Sequence, residues 1–105
     1  MIDTILKASG LPYRQARFAD PPKRTYAVYF EDVTADGADG LNLIFTHAAM
    51  VELYEPTQDA AAEAALETEL NARGIPWTKQ SRTWLQSVQR YQVVYEFDYI
   101  EKRRA

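Results

Sequence analysis

The chain has no cysteine and a single histidine among its 105 residues. Without cysteine it cannot form disulfides, thiolate metal clusters or a cysteine nucleophile. One histidine alone cannot build a recognisable zinc site, because zinc takes three or four nitrogen, sulfur or oxygen ligands. His47 lies within a predicted strand. An ordinary half-exposed strand position is therefore its favoured interpretation, with a general base or an interface residue as the alternatives.

The chain also lacks a long hydrophobic run and an excess of positive charge. No apolar stretch approaches the ~20 residues of a membrane-spanning helix. The first seven residues show no basic segment followed by an apolar core, as a secretory signal would. We therefore expect no membrane association, and a location in a bacterial-type cytoplasm or in a particle assembled there. The net charge of −3 argues against a dedicated nucleic-acid binder, which needs a basic surface to displace counterions from phosphates.

Glycine is scarce, with four residues, and no glycine-rich loop joins a strand to a helix as a phosphate site requires. Gly37 and Gly40 lie in a predicted turn instead. No pattern of serine, histidine and aspartate marks a catalytic triad. The sequence thus predicts a non-enzymatic protein with no catalytic, cofactor-binding or metal-binding residue.

Carboxylates cluster in and beside this turn. Several carboxylate oxygens could attract a divalent cation, but the spacing lacks the calcium-loop pattern with its late bidentate glutamate. A solvated turn is the better interpretation, and a surface facing a partner is the functional alternative. The four residues are Glu31, Asp32, Asp36 and Asp39.

Periodicity and turn signals predict a single α+β domain spanning residues 1–105, with two helices on one face of a mainly antiparallel sheet. A polar reversal is expected over residues 32–40, a bulge or bend near residues 47–49, and a frayed tail after Ile100. The predicted order is a short helix before Gly10, strands at residues 13–18, 25–31 and 41–55, a helix at about 57–73, and strands at 77–80, 83–86 and 91–100.

The central helix carries the clearest end signals. Thr57 follows a proline and is a suitable N-cap. Gly74 is placed to take the left-handed position just beyond the helix, with Ile75 next and Pro76 preventing continuation. Five alanines between residues 60 and 65 leave a smooth surface. Close packing on a sheet is the favoured interpretation of that surface, and a partner groove is the alternative.

Aromatic residues with a polar tip are abundant, with seven tyrosines and two tryptophans. Tyr91, Tyr95 and Tyr99 share one face of the last predicted strand. Such residues suit surfaces that become buried on association. We therefore expect an assembly protein rather than a free monomer, with these three tyrosines as candidates for its assembly surface.

Four stretches, taken in order, resemble a known family. The sequence is similar to the small tail-completion and head–tail joining proteins of long-tailed bacteriophages and prophages, close to the tail-terminator group. The resemblance covers nearly the full chain. The stretches are Leu11-Pro12-Tyr13 with Phe18; Pro21-Pro22-Lys23-Arg24 and the strand to Tyr29; residues 50–55 leading to Thr57; and residues 66–77 with the aromatic strand to Tyr99.

This resemblance implies a structural subunit without catalysis. It implies a homo-oligomeric ring, typically of six copies, that caps the tail tube and offers a surface to the head connector. The implied partners are the tail-tube and head-connector proteins, and the implied location is the tail or neck of the virion. We expect the acidic hairpin, Glu31 to Asp39, to face the next subunit or the lumen, where its charge would keep passing DNA from adhering.

Three other functions stay open at this point. The first is a small monomeric adaptor or inhibitor that binds a host protein through a sheet edge or an aromatic face. The second is an enzyme that uses His47 with a nearby carboxylate. The third is a nucleic-acid-binding domain that uses the basic residues Arg14, Arg17, Lys23 and Arg24. The alternative interpretations of these residues are solvation and protection of a sheet edge, or docking to an acidic partner.

Overall fold

A computed structural model describes residues 1–37 and 42–104. These residues form an α+β fold, as the sequence predicts. Two helices and six strands follow one another as α1 (Ile2–Ser9), β1 (Tyr13–Gln15), β2 (Tyr26–Asp36), β3 (Asn42–Glu55), α2 (Ala60–Ala72), β4 (Trp77–Lys79), β5 (Thr83–Leu85) and β6 (Arg90–Arg104).

The strands form one sheet in the order β1-β2-β3-β6-β4, and β5 also pairs with β6. Only the short β1–β2 pair is parallel among these strands, so the sheet is mainly antiparallel. The central strand β3 pairs along its whole length with β6, from Asn42 opposite Arg104 to Glu55 opposite Tyr91. Three long strands therefore run side by side through a molecule that is 50 Å long.

One face of the sheet packs against both helices. Successive strand residues point to opposite faces, and the register places Ala27, Leu53 and Val93 side by side on the face towards the helices. Leu6 of α1 and Leu66 of α2 are fully buried in the same hydrophobic cluster. The core therefore lies between the helices and this face, which confirms the predicted layering.

The opposite face is covered only at one end. Tyr26 and Val28 are buried there, and Phe18 packs edge-on against Tyr26 at 5.1 Å between ring centroids. Towards the far end of the long strands, apolar side chains face solvent: Phe30 is 42% exposed and Ile100 is 63% exposed. We call this far part the uncovered face; its main members are Phe30, Asp32, Ile44, Ala48, Met50, Glu96, Asp98 and Ile100.

The long strands differ from the sequence-based prediction in three ways. β2 continues to Asp36, where a polar reversal was expected, because its last residues pair with β3 up to Ile44. β3 keeps an unbroken register through His47, so there is no bulge at this position. β6 continues to Arg104 instead of fraying after Ile100, because its last residues pair with the start of β3. At the ends of β2 and β6, the ladder to a neighbouring strand outweighs the local polar sequence.

The central helix is shorter at its start than predicted. It begins at Ala60, and Asp59 caps it by accepting a hydrogen bond from the Ala62 backbone N–H at 3.0 Å. The expectation of Thr57 as the cap is wrong. The predicted ending is confirmed: Gly74 is left-handed with φ 67°, and the Ile75 N–H donates to the Leu70 carbonyl at 3.0 Å.

Candidate functional site

The single histidine lies between two carboxylates on neighbouring strands. His47 Nδ1 is 2.6 Å from Glu31 Oε1, and His47 Nε2 is 3.0 Å from Glu101 Oε1. The Tyr99 hydroxyl donates to Glu31 Oε2 at 2.9 Å, and its ring stacks on the imidazole at 4.5 Å. β2 supplies Glu31, β3 supplies His47, and β6 supplies the other two residues. This group joins the three long strands through side chains.

The electrostatics of this group favour a charged histidine. Partial burial by itself lowers the pKa of His47, but the hydrogen bonds to Glu31 and Glu101 outweigh it and raise the pKa above the ordinary value. In the imidazolium both ring nitrogens donate. Burial and the bond to Glu31 raise the pKa of Tyr99, so its hydroxyl keeps its proton. A general base needs a free ring nitrogen, and here both nitrogens face a carboxylate.

The histidine group forms part of the lining of a surface recess of about 580 Å³ beside the first turn of α1. This volume falls within the range of small-molecule sites. In the residues that the structure describes, no set of histidine and carboxylate side chains converges as a metal site would. The other polar and aromatic lining residues are Asp3, Gln15 and Tyr29.

A second cluster of charges lies inside the protein, between α2 and the sheet. Glu55 is fully buried, and the side chain of Glu63 is 5% exposed. Burial and the neighbouring Glu63 raise the pKa of Glu55 to about 7. Burial opposes ionisation of Glu63 too, but its bonds to Glu55, Lys79 and Arg82 dominate and lower its pKa to about 2. The two neighbouring carboxylates therefore have pKa values shifted in opposite directions, and Glu55 is the more readily protonated of the two.

Cations and a phenol complete this cluster. Lys79 Nζ lies 2.8 Å from both Glu63 Oε1 and Glu67 Oε2. Arg82 binds Glu63 through Nη2 and reaches Glu55 Oε1 with Nε at 3.3 Å. The Tyr95 hydroxyl donates to Glu67. The arrangement resembles an acid–base pair chemically, but the complete burial of Glu55 leaves a substrate no access. We interpret the cluster as a structural link between α2, the end of β3 and the β4–β5 segment.

The structure separates the candidate assembly residues into two groups. Tyr91, Tyr95 and Tyr99 do share a face of β6, as predicted, but it is the face towards the helices. Tyr95 is fully buried, and Tyr91 packs edge-on against Trp84 at 4.9 Å. These rings therefore serve mainly internal packing, and Tyr99 belongs to the histidine group.

The acidic candidates do not form one cluster either. Glu31 is engaged with His47 and Tyr99. Asp32 and Asp36 are exposed on the opposite side of β2, which is the side of the uncovered face. Asp39 lies outside the described residues. Among the three acidic candidates that the structure describes, only Glu31 is bonded to a tyrosine of the predicted set.

Sequence reasoning missed the apolar residues of the uncovered face. Phe30, Ile44 and Ile100 are each at least 39% exposed. A signal was present in β2, where apolar residues stand at successive positions rather than at alternate ones. In the described structure, both faces of β2 are covered only near Tyr26 and Val28.

Four basic residues gather on the segment that includes β1 and leads into β2, and we call residues 14–24 the basic segment. Arg14 lies over the Phe18 ring at 5.3 Å, and Arg24 donates to the Gly10 carbonyl at 3.3 Å. Arg17 and Lys23 are exposed. Within the described chain, none of these four cations is ion-paired with a carboxylate.

No family model matches the chain, and no curated protein matches it significantly. In the described residues, neither α1 nor α2 has the length and apolar character that crossing a bilayer requires.

Proposed function

We propose that the protein is a structural subunit of a long-tailed bacteriophage or prophage, a tail-terminator or neck protein that forms a ring on the tail tube and joins it to the head. The observation that carries this proposal is the uncovered face of the sheet. It presents exposed apolar side chains, including Phe30, Ile44 and Ile100, beside charged ones. Exposed apolar patches rimmed by polar residues are typical of surfaces that become buried on association.

The uncovered face is also held in a fixed shape. β3 is hydrogen-bonded to β2 on one side and to β6 on the other along this region. The histidine group ties the same three strands together on the reverse side, through Glu31, His47 and Glu101. A surface built on paired strands loses little conformational entropy on binding. This rigidity supports a role in assembly.

A closed ring needs two different surfaces on each subunit that meet around the circle. The chain offers the uncovered face as one and the basic segment as another. The exposed carboxylates Asp32 and Asp36 further support the proposed contact with a neighbour or with a DNA-filled lumen, where negative charge repels phosphates. The proposed partners are further copies of the chain, the tail tube and the head connector.

The experiment that tests this proposal is the solution mass of the full chain by light scattering over a wide range of concentration and salt, together with electron microscopy. We expect a ring-sized species, with six copies as the expected number. Ile100→Glu should shift this species towards monomer, and Thr68→Glu, a matched change on the exposed side of α2, should not.

Two results would contradict the proposal. One is a chain that stays monomeric throughout and also fails to bind purified phage tail tubes. The other is a monomer that forms a tight one-to-one complex with a host protein, which would favour the adaptor or inhibitor function instead.

A further inference from the structure

The uncovered face carries carboxylates without partners. Asp32, Ala48 and Asp98 lie in one row across β2, β3 and β6, so two carboxylates flank a small residue on adjacent strands. In the described chain the side chains of Asp32 and Asp98 have no hydrogen bond and no ion pair. β2 and β6 both neighbour β3 but not each other, so the two carboxylates stand about 10 Å apart, one on each side of Ala48. A cation seated above Ala48 would be attracted by both.

Apolar groups frame this row on both sides. Phe30 and Met50 lie in the row before it, and Ile100 lies in the row after it. Arginine and lysine bury their aliphatic stems on apolar surface and keep the charged end at a carboxylate. Arginine also stacks on aromatic rings and donates two parallel hydrogen bonds to a carboxylate. The chemistry of the row therefore matches a long cationic side chain better than a hydrated metal ion.

The chain itself carries such side chains in a group with unbalanced charge. The basic segment has four cations against one carboxylate, Asp20. The described side chains on the exposed end of the uncovered face show the opposite balance, four carboxylates against one amine, Lys102. Arg17 and Lys23 are exposed, and no described carboxylate pairs with them. The two surfaces are thus complementary in charge.

From this complementarity we infer that the row Asp32–Ala48–Asp98 is the docking site for the basic segment of a second copy of this chain, with Arg17 and Lys23 as the inserted cations. The inference deepens the proposed function and rests on it, since it names the two surfaces through which neighbouring subunits meet. Electrostatic complementarity of this kind determines which surfaces pair and how they align, and it raises the rate of association.

A pair of complementary variants tests the inference. Asp32→Lys with Asp98→Lys removes the acidic site and leaves the basic segment intact. Arg17→Glu with Lys23→Glu does the reverse. We expect each variant alone to associate at least tenfold more weakly than the wild type, and a one-to-one mixture to regain association between unlike copies, because the native contact and its charge-reversed counterpart are both matched there. Analytical ultracentrifugation measures both effects.

Milder and matched variants control for folding. Asp32→Asn with Asp98→Asn removes both negative charges at exposed positions without adding positive ones, so it should fold as well as the wild type and still associate more weakly. Gln58→Lys with Thr68→Lys adds positive charge at exposed positions elsewhere and should leave association unchanged. Circular dichroism verifies that each variant is folded.

The outcomes separate this inference from the proposed function. A wild-type ring or dimer that is weakened by both charge reversals and partly restored in the mixture supports the inference. If that species is a dimer only, the inference stands and the ring function fails. If a ring forms and the charge reversals do not change the strength of association, the ring function stands and the inference is overturned. A wild type that does not self-associate at any concentration overturns it as well.

Discussion

His47 and Tyr99 stack almost in parallel, with their ring centroids 4.5 Å apart and their planes inclined by 9°. They lie opposite each other on β3 and β6, and Glu31 on β2 binds both side chains. One small group of side chains therefore spans the three long strands on the face behind the uncovered face. Its charge depends on a histidine, so its stabilising effect depends on pH.

His47→Gln should destabilise the protein by on the order of 1 kcal/mol at pH 6, because it removes the charge-assisted bonds to Glu31 and Glu101. The folded-state pKa of His47 lies above its ordinary value, so the stabilisation is fully present below that ordinary value and is lost as the pH rises through the folded-state pKa. Urea unfolding at several pH values measures the difference. Thr46→Ala, on the opposite face, should show no such pH dependence, and a constant difference for His47→Gln would contradict the prediction.

Glu55→Gln should be more stable than the wild type at pH 8, whereas near pH 5 the two proteins should have similar unfolding free energies. The pKa of Glu55 is raised to about 7, so its contribution is present at low pH and is lost as the pH rises through that value. Glutamine reproduces the neutral acid and cannot ionise. Denaturant unfolding at both pH values tests this, and a variant that is less stable at pH 8 than the wild type would refute it.

Glu63→Gln should behave in the opposite way. The pKa of Glu63 is lowered to about 2, so its charge stabilises the fold at neutral pH and the effect is lost only as the pH falls towards that value. The substitution leaves Lys79 and Arg82 without their main buried partner. We expect a loss of about 3 kcal/mol, measured by the same unfolding experiment. A loss no larger than that of a surface variant such as Thr68→Ala would contradict this assignment.

Asp59→Ala should cost about 1–2 kcal/mol in unfolding free energy, because Asp59 caps α2 and also accepts a hydrogen bond from the Thr25 hydroxyl at 2.6 Å. Thr57→Ala is the matched control, since Thr57 is exposed and two residues outside the helix cap. Thermal and urea unfolding compare the two. Equal losses for both variants would show that the capping assignment is wrong.

Gly74→Ala should cost about 1 kcal/mol or somewhat more, because alanine must adopt the left-handed conformation that Gly74 holds at φ 67°. No atom lies within 4 Å of the added methyl group, so the cost is conformational and not steric. Gly74→Asn should recover part of the loss, since asparagine tolerates this conformation better. No change in unfolding free energy for Gly74→Ala would contradict the assigned helix end.

The sequence predicted correctly those parts of the fold that depend on residues close together in the chain. The end of α2 follows from Gly74 and the residues just after it, and the structure confirms it. The start of α2 was predicted wrongly, because two suitable caps lie two residues apart. Asp59 prevails through its tertiary bond to Thr25, which no local pattern reveals.

The candidate site depended on contacts between distant residues, and little of it could be predicted. His47 and Glu101 are 54 positions apart in the chain, and the register of three strands brings them together. The same register sends Tyr95 into the core and places Asp32 on the opposite face. A shift of one residue would exchange the two faces of a strand. The sequence could therefore single out candidates such as His47, Tyr95 and Asp32, but it could not predict the face on which each side chain lies.

By itself, the sequence determined the α+β class, the order of the elements and the alternation of the last strand, because hydrophobic periodicity and turn residues act over a few positions. It also determined the charges that make the acidic and basic surfaces complementary. Only the tertiary structure decided how far the long strands extend, which apolar residues remain exposed, and which carboxylates find partners. The physical reason is that strand pairing and burial join residues far apart in the chain, and each such contact depends on the register of all the others.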